Sequence, residues 1–331
     1  MSFSFFKQFK PKTPAELVKQ TRDALSALDD KTVAEVRLLD RALEEVDKNL
    51  LGMKQMLLGD GETEPSAELV LQLTLDTSKD DFLELLVQKL PNLGWEGRKD
   101  TVQIWCALLR PTVGTSQSVL YYIENHPELL DFLISCYENK EIALNCGSML
   151  RECARYPTLV KYMLSSASFE LFFKYVELPS FDIASDAFAT FKELLTRHGT
   201  HVYEYLNTNY TQFFELYERL LSSSNYVTRR QSLKLLSEFL LERSNAQIMV
   251  RFISEKRNLR IVMNLLKVFV ANPRKSPGII TVLAKNREKL LHFLDNFHLD
   301  KEDEQFEEEK DLLIKEIEAL EQVLPADTHK S

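Results

Sequence analysis

The sequence predicts an all-α protein, an armadillo- or HEAT-like helical-repeat superhelix, or α-solenoid. Its nine glycines in 331 residues are less than half of the roughly 7% that is average, so tight hairpins are scarce. Prolines stand between periodic segments and seldom inside them, as expected of a chain of separate helices. The third observation is a set of similar helical segments with a period typical of armadillo and HEAT proteins.

Four segments in the middle of the chain resemble one another. Each starts with polar residues, continues with amphipathic helical spacing and ends on an arginine: KDTVQIWCALLR, EIALNCGSMLRECAR, FDIASDAFATFKELLTR and YVTRRQSLKLLSEFLLER. Successive final residues are 45, 42 and 46 positions apart, at Arg110, Arg155, Arg197 and Arg243. A basic residue in a last turn also complements the helix dipole. Stacked repeats of this size are expected to form a curved rod with an extended inner surface.

The remaining elements follow in order along the chain. Helical periodicity begins near Pro14, after an N-terminal arm at 1–13, and the clearest loop is GDGETEP at 59–65. An acidic C-terminal helix and tail is expected over 299–331. Since each repeat of a solenoid packs only on its neighbours, we expect residues 1–331 to form one domain.

The charge pattern narrows the choice of partners. A formal net charge of −9 argues against general binding of nucleic acid, whose phosphates need a basic surface. The charge is uneven, because residues 251–289 hold ten basic and two acidic side chains and so carry +8. The acidic stretch EDEQFEEEKD follows at 302–311. One hypothesis is that this stretch docks on the basic span when an acidic partner is absent.

Cysteine usage and the lack of long apolar runs predict a soluble cytoplasmic protein, with the nucleus as a second location. No C-x-x-C pair occurs, and we expect buried, reduced thiols at Cys106, Cys136, Cys146 and Cys153. The opening MSFSFFKQFKPK lacks the apolar run of a signal peptide. No window approaches the ~18 consecutive apolar residues of a membrane span.

No catalytic, metal or cofactor motif is found. The chain lacks the glycine-rich phosphate loops, the nucleophile elbow and the zinc-protease motif. His198 and His201 form an H-x-x-H across Gly199, but no further ligand stands at a suitable spacing, so a helix-end loop is the better interpretation. We therefore expect no enzyme activity, no metal and no cofactor.

The stretch YVTRRQSLKLLSEFLLER predicts a helix with two different faces. The face expected to lie in the core carries Leu233, Leu236, Phe239 and Leu240. The opposite ridge repeats every four residues and carries Tyr226, Arg230, Lys234 and Glu238. Charged ridges are commonly just solvated, but a tyrosine beside two cations also suits an acidic partner. The residues alone leave both interpretations open.

The segment FDIASDAFATF also has two interpretations. Asp182 is expected to cap the helix, and Asp186 lies near its start, where negative charge is favoured. Phe181 either packs as a staple at the helix start or stands exposed on the inner surface.

At these segments the chain closely resembles the calcium-binding protein 39 family, scaffold proteins of sterile-20-type protein kinases. The resemblance runs from MSFSFFK to EDEQFEEEKDLLIKEI, and its most specific stretches are EIALNCGSMLREC, FDIASDAFATFKELLTRH, NYVTRRQSLKLL and KVFVANPRK. It implies a curved helical-repeat rod that holds a kinase or pseudokinase in its active conformation, as a monomer within a hetero-complex. Despite the family name, no calcium-binding loop is recognised.

The resemblance also implies site residues. Those facing the kinase lobe would be Phe181, Tyr226, Arg230 and Lys234. A pocket for a partner's C-terminal Trp-Glu-Phe tail would include Arg243 and Met263.

The chain departs from the family between Leu266 and Lys267, where about four helical turns of chain are missing. We expect exposed apolar surface and lower stability at this joint.

A different function remains open, namely a solenoid adaptor in trafficking or RNA binding. An RNA reader of this type repeats base-contacting side chains at fixed positions. The comparable places of the four similar segments instead hold Trp105, Met149, Thr190 and Lys234.

Overall fold

A computed structural model describes residues 12–29, 36–62, 64–110, 116–255, 257–258, 263, 266, 270, 275, 277–295 and 304–319. Within these residues all regular secondary structure is helical, which confirms the all-α prediction. The chain divides into two compact units, Met1–Asn245 and Ala246–Ser331. One continuous domain over 1–331 stays a prediction.

The first unit is a succession of α-helices joined by short loops and single 3₁₀ turns. In chain order these are α1 Pro14–Ser26, α2 Val36–Leu58, α3 Ala67–Thr77, α4 Phe82–Gln88, α5 Trp95–Leu109, α6 Ser116–Asn125, α7 Glu128–Ser135, α8 Ala143–Cys153, α9 Pro157–Ser165, α10 Leu171–Tyr175, α11 Phe181–Thr196, α12 Gly199–Thr208, α13 Tyr210–Leu221 and α14 Tyr226–Leu240.

Five of these helices, α2, α5, α8, α11 and α14, pack side by side in chain order and are called the row helices below. The four similar sequence segments form the last four of them. Other helices pack behind the row: α6 against α5, α7 against α8, α10 and α12 against α11, and α13 against α14. One element per period thus occupies the same place in the stack, which confirms the helical-repeat solenoid.

The row helices from α5 to α14 run parallel and nearly in register. Near the starts of α5 and α8, Arg98 Nη2 donates to Glu141 Oε2 at 2.7 Å. Near the ends of α11 and α14, Lys192 Nζ lies 2.7 Å from Glu238 Oε2. Gly147 and Asp186, which approach closely, each lie about one turn into their helices, α8 and α11. Equivalent ends of these helices therefore lie at the same end of the row.

A partly buried polar cluster joins α8 to α11. Arg151 donates to Asp186 Oδ1 at 2.8 Å and to Thr190 Oγ1 at 2.9 Å. The Tyr137 hydroxyl donates to Asp186 Oδ2 at 2.8 Å. Burial lowers the pKa of Arg151, but Asp186 more than offsets this and holds that pKa above its usual value. Asp186 therefore ties two repeats together, besides lying near the start of its own helix.

Gly147 provides the space for this cluster. A Cβ on Gly147 would lie 1.8 Å from Asp186 Oδ2 and 2.5 Å from the Tyr137 hydroxyl. Those two groups are the ones held by the hydrogen bonds of the cluster. A side chain at this position would therefore separate α8 from α11 or break the cluster.

The helix α14 forms as predicted, with one correction to its buried face. Asn225 caps it, because its Oδ1 accepts from the backbone N–H of Val227 at 3.0 Å. Leu233 is only half-buried, whereas Leu235 is 1% exposed. Since α14 packs against both α11 and α13, its buried face is wider and rotated from the predicted stripe.

The start of α11 also differs from the expectation. Ser180 occupies the N-cap position without a side-chain cap, and Asp182 lies in the first turn. Phe181 is 66% exposed, so of its two interpretations the exposed one is correct.

Aromatic rings fill the core between successive repeats. Phe169 and Phe172 contact Phe191 of α11, whose ring in turn lies 6.4 Å from that of Tyr217. Tyr217 continues the contacts to Phe239 of α14 at 5.5 Å. This continuous set of rings holds α11 and α14 to the helices behind them, and aromatic pairs at such distances contribute beyond their buried area.

The second unit contains α15 Ala246–Ser254, α16 Pro277–Lys285, α17 Arg287–Asp295 and α18 Glu304–Ala319. Its buried apolar cluster consists of Met263, Val270, Leu283, Leu294, Leu313 and Ile317. The last two belong to α18, so this acidic helix is part of the core. Among the described residues, Lys275 of the basic span pairs with Glu316 of α18 at 3.3 Å. The buried leucine and isoleucine of α18 contradict a freely detachable tail.

The joint with the missing segment lies mostly outside the described residues, Lys267 included. Among the described apolar residues there, Met263 and Val270 are buried and Leu266 packs partly buried against them. The expectation of exposed apolar surface is therefore wrong at these three positions.

None of the helices described is long and apolar enough to cross a membrane.

We predict that Gly147→Ala lowers the free energy of unfolding by about 1–3 kcal/mol, because the new methyl group overpacks the cluster between α8 and α11. Urea denaturation followed by circular dichroism measures this. The matched control is Gly52→Ala in α2, whose Cβ would meet only Leu17 at an ordinary 3.5 Å; it should stabilise by roughly 0.5–1 kcal/mol. Equal stability of the two variants would contradict the tight packing at Gly147.

Candidate partner-binding surface

The row helices have one open side, called the row face below. Each of α5, α8 and α11 has a row neighbour on both flanks and at least one helix behind it. Exposed side chains of these helices must therefore point away from the helices behind. The row face is the place where a partner could contact several repeats at once.

The predicted ridge of α14 lies on exposed surface. Tyr226 is 63% exposed, and Arg230 and Lys234 are also exposed. One turn further along, Glu238 lies 3.8 Å from Lys234 and also pairs with Lys192 of α11. The first three residues of the ridge are thus exposed, and Glu238 at its end is half-buried.

Two neighbouring arginines of α14, Arg229 and Arg230, differ in what their side chains contact. Arg230 makes no hydrogen bond or ion pair with any residue that the structure describes. Arg229 instead lies with its guanidinium 6.0 Å from the centre of the Tyr226 ring and donates to the carbonyl oxygen of Ser223 at 2.8 Å. Tyr226 is therefore held beside one cation, while Arg230 remains available for an anionic group.

Phe181 and the start of α14 border a small crevice between α11 and α14. Its volume is ≈ 80 Å³, and its lining includes Phe181, Phe188, Val227 and Gln231. Phe181 and Val227 are 66% and 38% exposed. An aromatic or aliphatic group of a partner could bury these two side chains next to the cationic ridge.

The two remaining predicted site residues lie elsewhere. Arg243 is exposed in a 3₁₀ turn, Arg243–Asn245, at the end of the first unit. Asn245 anchors this turn by donating to the carbonyl oxygen of Phe239 at 2.7 Å. Met263 is 2% exposed within the core of the second unit. Four of the six predicted residues therefore share α11 and α14, and Met263 is a core side chain.

Two exposed apolar side chains near the starts of row helices were not predicted from the sequence as candidate contacts. Trp95 and Leu144, in the first turns of α5 and α8, are 69% and 45% exposed. Lys99 lies 4.9 Å from the centre of the Trp95 ring. Because the row helices lie nearly in register, these side chains stand at the same end of the row as Phe181 and Tyr226. A large apolar residue near the start of each similar segment, or a few positions before it, was the available signal.

Ligand-type side chains converge at one place in the described part of the chain, where potential ligand atoms of Asp81, Glu84 and His126 all lie within 4.8 Å of one another. The Tyr122 hydroxyl also reaches Asp81 at 3.4 Å. The two histidines of the H-x-x-H motif do not share such a cluster. His198 contacts the carbonyl oxygen of Ala154, and His201 contacts Glu204. The absence of a metal site stays a prediction.

The four cysteines are free thiols, three of them buried and Cys106 half-buried. Burial raises the pKa of Cys106 to about 11 and that of Cys153 to about 12. Thiols with such pKa values are protonated near neutral pH and are poor nucleophiles. The prediction of thiols held within the helical core is confirmed for Cys136, Cys146 and Cys153.

Comparison with known proteins identifies relatives over nearly the whole chain. A family model described as Mo25-like matches residues 3–321. The human protein "Calcium-binding protein 39-like" is 46% identical over 330 residues, covering 95% of this chain and 97% of that protein. The "Mo25-like protein" of Schizosaccharomyces pombe is 40% identical over 336 residues, covering 97% and 100%. A designed armadillo repeat protein in complex with the peptide (KR)4 has a TM-score of 0.41 at 12% identity, covering 69% of this chain and 87% of that one.

The alignment with the human protein also contains a gap. Its 330 positions span 95% of 331 residues, or about 314 residues, which leaves about 16 positions without a counterpart in this chain. A segment of about four helical turns is of this length. The absence of a segment after Leu266 stays a prediction, and one segment of this length would account for the unmatched positions.

We predict that the double variant Arg230→Ala/Lys234→Ala changes the free energy of unfolding by less than about 0.5 kcal/mol, because both side chains are exposed. Leu235→Ala, on the buried side of the same helix, should cost about 2–5 kcal/mol. Urea denaturation of both variants tests the assignment of the two faces. A large loss in the double variant would contradict it.

Proposed function

The chain belongs to the Mo25-like family, and from this membership we propose that it is a non-catalytic scaffold that binds and activates a sterile-20-type protein kinase or a complex of kinase and pseudokinase. The row face is the proposed binding surface, with Phe181, Tyr226, Arg230 and Lys234 as its main contacts. The observation that carries the proposal is the exposed ridge of α14, where Arg230 has no partner among the described residues.

The chemistry of this surface suits a protein partner. Tyrosine and arginine are the residue types that most often dominate the energy of an interface. Exposed Phe181 and Val227 offer apolar area beside the cations. An interface with an apolar centre and a cationic rim matches a partner that carries an acidic group next to an aromatic or aliphatic one. Contacts to several row helices would also fix the partner's orientation.

Activation by such a scaffold is a population shift. A scaffold that binds the active arrangement of the kinase more tightly than the inactive one moves the equilibrium by that difference in affinity. Raising the active fraction from 1% to 99% needs a preference of about 10⁴-fold. A rigid row of packed helices is suited to this role, because it cannot adapt its surface to both arrangements at equal cost.

A second contact is proposed for a partner's C-terminal Trp-Glu-Phe tail at Arg243. Arg243 is exposed and could pair with the tail's carboxylates. Met263 is 2% exposed in the core of the second unit, and its side chain is not part of this proposed contact. The four free thiols suit the reducing cytoplasm or nucleus, where we place the complex, with one copy of this chain.

We predict that Arg230→Ala/Lys234→Ala weakens binding to the kinase about 10–100-fold, because each side chain supplies an interface contact of 1 kcal/mol or more. The measurements are titration of the pure proteins and kinase activity with and without scaffold. The control is Lys161→Ala/Lys174→Ala, which removes the same charge from two exposed lysines on α9 and α10. Wild-type affinity and stimulation in the first variant would refute the proposed surface, and binding without stimulation would favour a general adaptor.

We predict that Arg243→Ala weakens binding of a peptide ending in Trp-Glu-Phe at least tenfold, as expected for loss of a charge-assisted contact. Fluorescence anisotropy of a labelled peptide measures the affinity. Arg197→Ala is the matched control, since Arg197 follows α11 as Arg243 follows α14. Equal affinities for the two variants would exclude Arg243 from the contact.

A further inference from the structure

The first unit has a second apolar surface, far along the chain from the ridge of α14. The helices α1, α2 and α3, with the segment that joins α2 to α3, border a groove of ≈ 700 Å³. Leu17, Leu51, Met56 and Leu69 are among its lining residues. Leu51 and Leu69 are 43% and 42% exposed, so the groove offers apolar side chains that nothing in the described structure covers.

The groove also contains a buried polar group with an unused donor. Asn49 is 0% exposed and lines the groove. Its Oδ1 accepts from Lys12 Nζ at 2.7 Å, but its Nδ2 has no acceptor. A buried amide donor left unpaired costs about 1–3 kcal/mol. Because Asn49 has no exposed surface, a ligand's carbonyl oxygen reaches this donor only when the side chains over it move aside. It then removes that cost, and a peptide backbone has a carbonyl oxygen at every residue.

The chain itself supplies a suitable peptide. Residues 1–11, MSFSFFKQFKP, contain phenylalanine at positions 3, 5, 6 and 9 and run directly into Lys12, which lies in the groove wall. Phe6 stands six positions before Lys12, so it can reach at most ~20 Å from it. A short tether of this kind gives an effective concentration in the millimolar range. Few competing peptides would reach the groove as readily.

We propose that residues 1–11 bind in this groove as an extended segment. Their phenylalanines pack against Leu51, Met56 and Leu69, and one backbone carbonyl accepts from Asn49 Nδ2. The segment thereby covers the apolar surface that the first repeat leaves open. Terminal repeats of helical arrays need such caps, because they lack the neighbour that buries the corresponding surface in every inner repeat.

Photo-crosslinking of the full-length chain tests the proposal. With p-benzoylphenylalanine in place of Phe6, irradiation should give an intramolecular product joining residue 6 to Met56, Leu51 or Leu69, located by mass spectrometry of the digest. Leu69→Glu should lower the yield about tenfold, since it puts a charge where an apolar side chain binds. The matched control Leu71→Glu, equally exposed on α3 but outside the groove, should change it less than twofold.

A second measurement avoids the bulky probe. Phe6→Ser/Phe9→Ser should raise hydrogen exchange in α2 and α3 near the groove and leave exchange in α11 and α14 unchanged. Cross-links outside the groove, a cross-linked dimer, or unchanged exchange in the serine variant would each overturn the proposal. Because α14 and its ridge take no part, kinase binding can fail or succeed independently of these outcomes.

Discussion

The approach of α8 to α11 is the constraint on which the placement of the candidate site depends. Gly147 lets the carboxylate of Asp186 and the hydroxyl of Tyr137 lie where a side chain would otherwise be. Arg151 then fixes that carboxylate from the neighbouring repeat. A close, directional contact of this kind sets both the spacing and the register of the two helices. The next row helix, α14, packs against α11. The positions of the exposed side chains on the row face therefore depend on this polar cluster.

The row face combines rigidity with uneven charge. Aromatic rings hold α11 and α14 to the helices behind them, from Phe191 through Tyr217 to Phe239. On the open side, Glu238 pairs with cations on both helices, whereas Arg230 keeps its charge unpaired in the described structure. A partner with an anionic group thus meets a surface that needs little rearrangement before binding, which lowers the entropy cost of association.

Periodic features of the chain could be predicted from the sequence, and contacts between distant residues could not. The repeat spacing and the exposure of Tyr226, Arg230 and Lys234 follow from helical geometry alone. The role of Asp186 depends on Arg151, 35 positions away, and no local pattern indicates it. Leu235, rather than Leu233, is buried because α14 has two packing neighbours. Met263 is buried partly by Leu313 and Ile317, whose packing only the folded second unit reveals.

The placement of α18 has a consequence for how the polypeptide matures. Leu313 and Ile317 are completely buried beside Met263, Val270, Leu283 and Leu294, yet they are the last of these residues to leave the ribosome. Synthesis proceeds from the N-terminus, so the first unit can fold while the second still lacks part of its interior. A nascent chain halted before Leu313 would present unfilled apolar surface to chaperones and proteases. Quality control can therefore distinguish chains in which α18 has been synthesised from chains in which it has not.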